Sequence, residues 1–368
     1  MIKERPPEKI VCGCSQETAS TPVAGRQEMA RRPWVTGFLS VPSGDIPLVA
    51  TRLNLSDRLS AVRVRWGLGR MNYKIPPGLY AAGRPGANSP VLVTANYKLT
   101  FDALRRELSG QDAWIMVLDT RGINVWCAAG KGTFGTEEVL ARIEAVGLAR
   151  VVAHRKIILP QLGAPGVAAH EVQKRAGFRV LYGPVRAKEI PAFLAAGLKA
   201  EPEMRRVRFA FRDRLKLVSM EFAGSLKYLL AISAILALIG FLAYGRVAVW
   251  DFLPYLGAVI VGSSLVPLLL PWIPGRPFSL KGALAGLAWA VFVIAGGAAG
   301  FLPALSWKAA VAYLLFIPTI SAFLAMGFTG SSTFTSLSGV VKEMKTAVPL
   351  MAASFGLGVI FFGLSFFI

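Results

Sequence analysis

The rhythm of apolar and polar positions changes near residue 224. Beyond it, apolar stretches near 225–244, 252–273, 281–302, 308–328 and 346–367 each run for about 20 residues, the length that crosses roughly 30 Å of hydrocarbon. Before it, shorter apolar runs alternate with amphipathic ones. PVLVTAN (90–96) reads as a strand and FDALRRELSG (101–110) as a helix closed by glycine. AWIMVLDT (113–120) reads as a buried strand, followed by a short helix over 125–131. Another helix over 136–146 opens on Thr136, with Glu137 and Glu138 in its first turn. ARVVAH (149–154) and KIILP (156–160) supply one or two further strands, VAAHEVQKRAG (167–177) a helix, FRVLYGPV (178–185) a strand and AKEIPAFLAAG (187–197) a helix. Residues 34–80 are irregular, with a strand-like LSAVRVRWGL over 59–68. This spacing predicts an α/β protein: a Rossmann-like parallel-sheet domain, with ligands at the carboxyl ends of its strands, followed by an all-α membrane domain of five transmembrane helices.

The expected boundaries are a flexible tail over 1–33, a ligand-binding domain over 34–203, a basic juxtamembrane linker over 204–224 and the membrane domain over 225–368. Composition sharpens that division. The mean hydropathy is +0.51. Hydrophobic residues make up 54% and charged residues 17%, below the roughly 25% usual for soluble domains. Intrinsic disorder and a purely soluble enzyme are both excluded. Most of the +20 net charge lies before residue 225. Arg205, Arg206, Arg208, Arg212, Arg214 and Lys216 cluster before the first span, where anionic membrane lipid accounts for them and no nucleic-acid partner is needed. Arg276 with Lys281, and Lys342 with Lys345, mark two connections as basic, whereas the alternate ones hold only Arg246 and Lys308. That asymmetry predicts a multi-pass protein of the cytoplasmic membrane, with the front half in the cytoplasm and the C-terminus outside. The opening MIKERPPEKIVCGC has no apolar core of a signal peptide, in keeping with that orientation. No charged residue sits mid-span, apart from Lys227 at the edge of the first, so an anchor or partner platform fits better than ion-coupled transport. AGGAAG (295–300) reads as helix-packing surface.

The candidate chemistry lies at the end of the buried strand, in DTRGINVWCAAGKGTFGTEE (119–138). A phosphate loop fails, because Val125 stands where its first glycine belongs and Gly132 where Ser or Thr must follow Lys131. A dinucleotide fingerprint fails as well. What remains is a short helix that Asn124 can cap, with Cys127 in its first turn, where the helix dipole favours a thiolate. At helical spacing Asn124, Cys127, Ala128 and Lys131 share a face, with Gly130 beside it. Ala128 and Gly130 leave room for a flat ligand to approach while the sulfur points at its centre. The competing reading is a cysteine acting as a small buried apolar side chain. The chain has three cysteines, Cys12, Cys14 and Cys127, which excludes a four-cysteine metal or iron–sulfur site. Cys12 and Cys14 form a possible soft-metal pair, with an incidental surface pair as the default. His154 after a strand and His170 on a helix read as ordinary polar positions. VTANYKLTFD (93–102) places Thr94, Asn96 and Tyr97 after a strand, within reach of a bound ligand, and LPQLGAPGV (159–167) is a further candidate ligand loop.

The stretch NVWCAAGKGTFGT (124–136), followed by membrane spans, closely resembles the mercury-methylating corrinoid proteins (the HgcA family). The domain is also similar to that of the corrinoid iron–sulfur protein of acetyl-CoA synthesis. The resemblance covers the chain from about residue 90 onward and leaves residues 1–80 unmatched. It implies a corrinoid cofactor beside a cap helix of Asn124, Val125, Trp126, Cys127, Ala128, Ala129, Gly130 and Lys131, with Cys127 as the lower axial ligand of cobalt. It also implies a methyltransferase in which methyl-cobalt(III) gives its methyl group to Hg(II), forming methylmercury. The alternative is a membrane-anchored methyl carrier of one-carbon or acetyl-CoA metabolism with another acceptor. A non-catalytic membrane receptor or transporter, with Cys127 structural, is the contrasting class. The implied partners are a ferredoxin-like protein with two [4Fe–4S] clusters, a methyl-donor protein or methylated one-carbon carrier, and membrane lipid.

Overall fold

The computed structural model describes residues 25–245, 247–331, 334 and 337–365. Most of the expected tail, with Cys12 and Cys14, lies outside them. Contacts divide the chain into two units. One holds the described residues up to Asp57 together with Met71–Arg206; the other holds Arg58–Arg70 with Val207–Ile368.

The first unit is built on a seven-stranded sheet: β1 (Val35–Val41), β2 (Gly44–Val49), β3 (Gly78–Ala82), β4 (Val91–Ala95), β5 (Ala113–Leu118), β6 (Lys156–Leu159) and β7 (Arg179–Tyr182). The spatial order is β1-β2-β3-β5-β4-β6-β7. β4 is parallel to both β5 and β6, and β6 to β7, so the expected α/β alternation is present from residue 90 onward. The expectation of an all-parallel sheet is corrected at the other edge. There β1 and β2 form an antiparallel hairpin, and β3 runs antiparallel to β5. The cause is local: Gly44 turns the chain within two residues, too short for a helical crossover. β4 and β5 are buried along their whole length, as both-face coverage requires.

Three segment readings change. ARVVAH contributes a short helix, Leu148–Val151, and no strand. The stretch 59–68 is helical over 59–65, the end of the helix Leu55–Arg65, and turns over 66–68. Its Val-Arg alternation mimics a strand, but Asn54 and Asp57 close a reciprocal cap at the helix start: the Asp57 N–H donates to the Asn54 side chain (2.7 Å) and the Asn54 N–H to the Asp57 carboxylate (3.2 Å). Within the expected tail, Arg26–Ala30 is helical and Met29 is buried in the core beside Trp34.

The second unit is helical. Among the described residues, four helices are long and apolar enough to cross a membrane: Phe211–Leu242, Phe278–Ala298, Trp307–Gly327 and Ser338–Leu364. The stretch expected as the second of five spans forms a shorter apolar segment, Leu253–Leu269. It is interrupted by a π-helical turn at Val261–Leu265. Pro267 and Pro271 shorten it, because proline removes a backbone donor and crowds the preceding turn. Helices approach closely at Gly282 and Gly286, where an added Cβ would lie 2.6 Å from Ala322 Cα and 2.8 Å from Pro318 Cα. The expected packing glycines Gly296 and Gly297 instead accommodate the turn that follows their own helix, at Phe301–Pro303.

Candidate cofactor-binding site

β4 connects to β5 on one side, and β6 connects to β7 on the other, so adjacent strands diverge at their carboxyl ends between β4 and β6. Open sheets bind ligands at such a switch point. A cavity of about 400 Å³ sits there. Leu92, Val93 and Thr94 of β4 and Ile158 and Leu159 of β6 form its floor, and Leu99, Thr100, Ala103 and Leu104 form one wall. The opposite rim is Asn124, Val125 and Trp126, with Pro160 and Leu162 from the expected ligand loop and Gly183, Pro184 and Val185 after β7. The lining is mainly apolar, with Thr94, Thr100 and Asn124 as its polar points.

The helix Val125–Gly130 forms as the sequence requires. Asn124 stands at its N-cap, and its side-chain oxygen accepts from the Cys127 N–H at 3.0 Å. The same side chain's Nδ2 donates toward Cys127 Sγ at 3.5 Å. One asparagine therefore caps the helix and orients the thiol. Cys127 is exposed, which removes the reading of a small buried apolar residue. Trp126, Gly130 and Lys131 are exposed with it. Replacing Asn124 with Ala is expected to cost about 1 kcal/mol, the usual value of such a cap. It should also raise the rate at which a thiol reagent modifies Cys127; an unchanged rate would refute the orienting role.

Ala128 does not sit on the open face. It and Ala129 are buried behind the helix, against the core and the turn Gln161–Gly166. The missing side chain of Gly166 leaves only 3.1 Å between a Cβ position and Ala129 Cα. The two alanines let the helix lie close on the domain, whereas Gly130 has open space beside it. Clearance for a flat ligand therefore falls to Gly130 alone.

Thr94 lines the cavity, but Asn96 does not. Its Nδ2 donates to Asp119 Oδ1 at 2.9 Å. Its Oδ1 accepts from the Thr120 N–H (3.1 Å), the Thr120 hydroxyl (2.9 Å) and the Gly122 N–H (2.9 Å). Asn96 is a latch from the end of β4 onto the loop that delivers the Cys127 helix, and ligand contact is corrected to a positioning role. Tyr97 is buried edge-on against Tyr73, with ring centroids 6.3 Å apart, so it belongs to the wall's support. His154 Nε2 lies 2.9 Å from the Ser89 carbonyl and His170 is exposed, in keeping with ordinary polar positions. The cavity residues absent from the sequence reading are chiefly Leu99, Ala103 and the segment Gly183, Pro184 and Val185. The Gly-Pro pair directly after a strand was the available signal for the last.

The donor set and shape fit a flat macrocycle with a metal at its centre. An exposed sulfur stands on a capped helix beside an open glycine, and that helix's first residues border an apolar cavity that can take an aromatic tail. Among the described residues no group of three or more His, Cys, Asp or Glu forms a metal site in the chain itself.

Residues 69–194 match the family described as the CO dehydrogenase/acetyl-CoA synthase delta subunit, CdhD. The chain is 35% identical over 123 residues to an acetyl-CoA decarbonylase/synthase complex subunit gamma of Methanopyrus kandleri, covering 33% of this chain and 26% of that protein. It is 32% identical over 127 residues to the subunit gamma of Archaeoglobus fulgidus, covering 34% and 27%. It is 31% identical over 156 residues to the corrinoid/iron-sulfur protein large subunit of Moorella thermoacetica, covering 42% and 32%. The chain thus spans about a quarter to a third of the length of these relatives, and the family match over 69–194 includes the Cys127 helix and the cavity.

Proposed function

We propose that the sheet unit holds a corrinoid and that the chain is a membrane-held methyl carrier of one-carbon metabolism. The observation that carries this reading is the exposed, Asn124-oriented Cys127 on a helix that borders an apolar cavity at the sheet's switch point. A bound corrinoid supplies a cobalt centre that takes up and gives away a methyl group and must be kept reduced. The chain's own part is to bind and orient. Cys127 would offer its sulfur to the cobalt, Asn124 would fix that sulfur's direction, and Gly130 would leave space for the ring. Leu92, Leu99, Leu104, Ile158 and Ile190 surround an aromatic tail and exclude water. Similarity to the subunit gamma proteins and to the corrinoid/iron-sulfur protein large subunit supports the corrinoid and a carbon acceptor. Low-potential electrons come from iron–sulfur clusters, which require sets of cysteines. With three cysteines here, the reading includes a separate ferredoxin-like partner.

A second reading gives the methyl group to Hg(II). It is favoured by Cys127 within NVWCAAGKGTFGT: a strongly donating sulfur suits delivery of methyl to a soft metal ion. In both readings 34–203 is the core of the corrinoid domain and 225–368 holds the chain in the cytoplasmic membrane.

Cobalt content and the visible spectrum of the purified full-length protein test the corrinoid. About one cobalt per chain is expected, and protein reconstituted with corrinoid but free of cobalt would overturn the reading. Methylated protein offered Hg(II), or an acetyl-CoA synthase with CO and coenzyme A, then separates the acceptors by whether methylmercury or acetyl-CoA forms. A cavity-filling change gives an independent check. Ala103→Phe is expected to lower cobalt content several-fold while the unfolding midpoint stays near that of the parent, since the ring enters existing space. Full cobalt content in that variant would place the cofactor elsewhere.

A further inference from the structure

The helix Leu55–Arg65 leaves an apolar stripe uncovered. Leu55 is 71% exposed, Leu59 61%, Val62 53% and Trp66 47%. At 3.6 residues per turn these four positions fall within an arc of about 60°. Trp66 continues the helical path, because its N–H bonds to the Val62 carbonyl at 3.1 Å. Arg58 and Arg65 flank the stripe on one side and Arg63 on the other, and all three are exposed. The opposite face is buried. It carries Val64 and the helix's only acid, Asp57, which is bound to Arg105 and Lys98. The exposed face is therefore apolar along its centre, basic along both edges and free of negative charge.

Arg58–Arg70 belongs to the second unit, and contacts within that unit fix the level at which Leu59, Val62 and Trp66 sit. The Arg65 carbonyl accepts from Ser219 Oγ at 3.4 Å, and the Trp66 ring meets Phe222 edge-on at 6.5 Å. Ser219 and Phe222 belong to the helix Phe211–Tyr244. Its ~20 residues from 225 to 244 cover about 30 Å, the hydrocarbon thickness. Trp66 thus meets that helix within about two turns of where hydrocarbon begins, at the depth of lipid headgroups.

We propose that the Leu55–Arg65 helix lies in the plane of the bilayer surface, with Leu55, Leu59, Val62 and Trp66 among the upper acyl carbons and Arg58, Arg63 and Arg65 at anionic lipid phosphates. An amphipathic helix with a basic border takes this position, and a tryptophan at its apolar edge suits the headgroup boundary. The long arginine stems reach along the apolar stripe while their guanidinium groups stay with the phosphates. A protein partner is disfavoured by the charge pattern, because it would need an apolar ridge bordered by acids on both sides. The proposal rests on the second unit spanning a membrane, and the experiment separates the two claims.

Full-length protein with Cys12, Cys14 and Cys127 changed to Ser is placed in nanodiscs of phosphatidylcholine with phosphatidylglycerol. A nitroxide is attached in turn through Val62→Cys, Leu238→Cys and Glu144→Cys. Relaxation by oxygen, which concentrates in lipid, is compared with relaxation by a water-soluble nickel chelate. Leu238 is 58% exposed within the apolar part of its helix and reports on spanning itself; Glu144 is exposed on the sheet unit and reports water. The expected oxygen-to-nickel ratio at Val62 is several-fold above that at Glu144 and below that at Leu238. If Leu238 behaves like Glu144, the membrane reading fails and the proposal with it. If Leu238 is lipid-exposed and Val62 matches Glu144, spanning stands and the in-plane helix is refuted. Low access of both reagents at Val62 would equally refute it, in favour of a protein covering the stripe.

Discussion

Cys127→Ala is expected to abolish methyl transfer while leaving the fold and the membrane insertion of the chain unchanged. The side chain is exposed, so its removal opens no cavity, and alanine is the better helix former at the position. The cap is retained, because Asn124 accepts from the backbone N–H of residue 127 whatever the side chain. What disappears is the single sulfur among the residues that face the proposed corrinoid. Loss of even an outer partner of a metal ligand costs about 10–100-fold, so removing the ligand itself should lower transfer by at least about a hundredfold. The visible spectrum of the reconstituted protein should shift at the same time, since the donor atom has changed. Transfer to Hg(II) or a carbon acceptor at the parent rate, with equal cobalt content, would remove Cys127 from the mechanism.

The largest stability effect is expected at Arg105. Its guanidinium is fully buried, donating to Asp102 at 2.8 Å, to Asp57 at 2.7 Å and to the Ala50 carbonyl. Lys98 completes the group, 2.7 Å from Asp57 and 2.6 Å from Asp102, so two cations face two largely buried carboxylates, with Lys98 at the edge that meets water. Arg105→Met keeps much of the volume and leaves Lys98 as the one cation against two carboxylates, and removing one partner of a buried pair costs about 3–5 kcal/mol. Hydrogen exchange on strand β5 should show that loss as faster opening, and a change below about 1 kcal/mol would refute a stabilising role for the group. The pH dependence has two limbs. Burial alone raises the Asp57 pKa, but the hydrogen bonds from Lys98 and Arg105 outweigh it and hold the group below its ordinary 3.8. Its contribution is therefore present above about pH 4 and is lost as pH falls through the lowered value. For Lys98, burial lowers the pKa and Asp102 more than restores it, to above the ordinary 10.5. That contribution is complete below pH 10.5 and fades as pH rises through the raised value. Asp57→Asn should flatten the acid limb and weaken the alkaline one, because the Asp57 carboxylate also helps to raise Lys98.

The parallel half of the sheet was legible because each strand between residues 90 and 185 is a continuous apolar run, and each intervening helix has a polar face. The hairpin edge was not. β1 and β2 carry glycine and proline inside them and are only partly buried, so neither apolar continuity nor clean alternation marks them. Leu55–Arg65 was misread for the same physical reason that makes it interesting. A helix that shows both an apolar stripe and an arginine border to the outside places Val and Arg at alternate positions, which imitates a half-buried strand. At the site, the Asn124 cap followed from local spacing, whereas the exposure of Cys127 did not, since spacing left a small buried apolar side chain equally open. Ala128 was placed on the wrong face because its neighbours, not its own smallness, decide which side of a six-residue helix meets the core. Asn96 was read as a ligand contact because a polar residue after a strand commonly is one; its role depends on Asp119 and Thr120, which adjacency in sequence does not reveal.

The Asn96 latch bears on how such a site can be transplanted. A designer wishing to install the Cys127 helix in another switch-point sheet would naturally graft residues 119–136. That segment alone would arrive without the carboxamide that binds its first turn, a residue 23 positions upstream of Asp119 and on a different strand. Aspartate at the recipient position would be worse than a neutral residue, since it loses the donor and sets a carboxylate against Asp119. The portable cassette is therefore discontinuous: one asparagine at the end of the receiving strand, and the loop with its helix at the end of the neighbouring one.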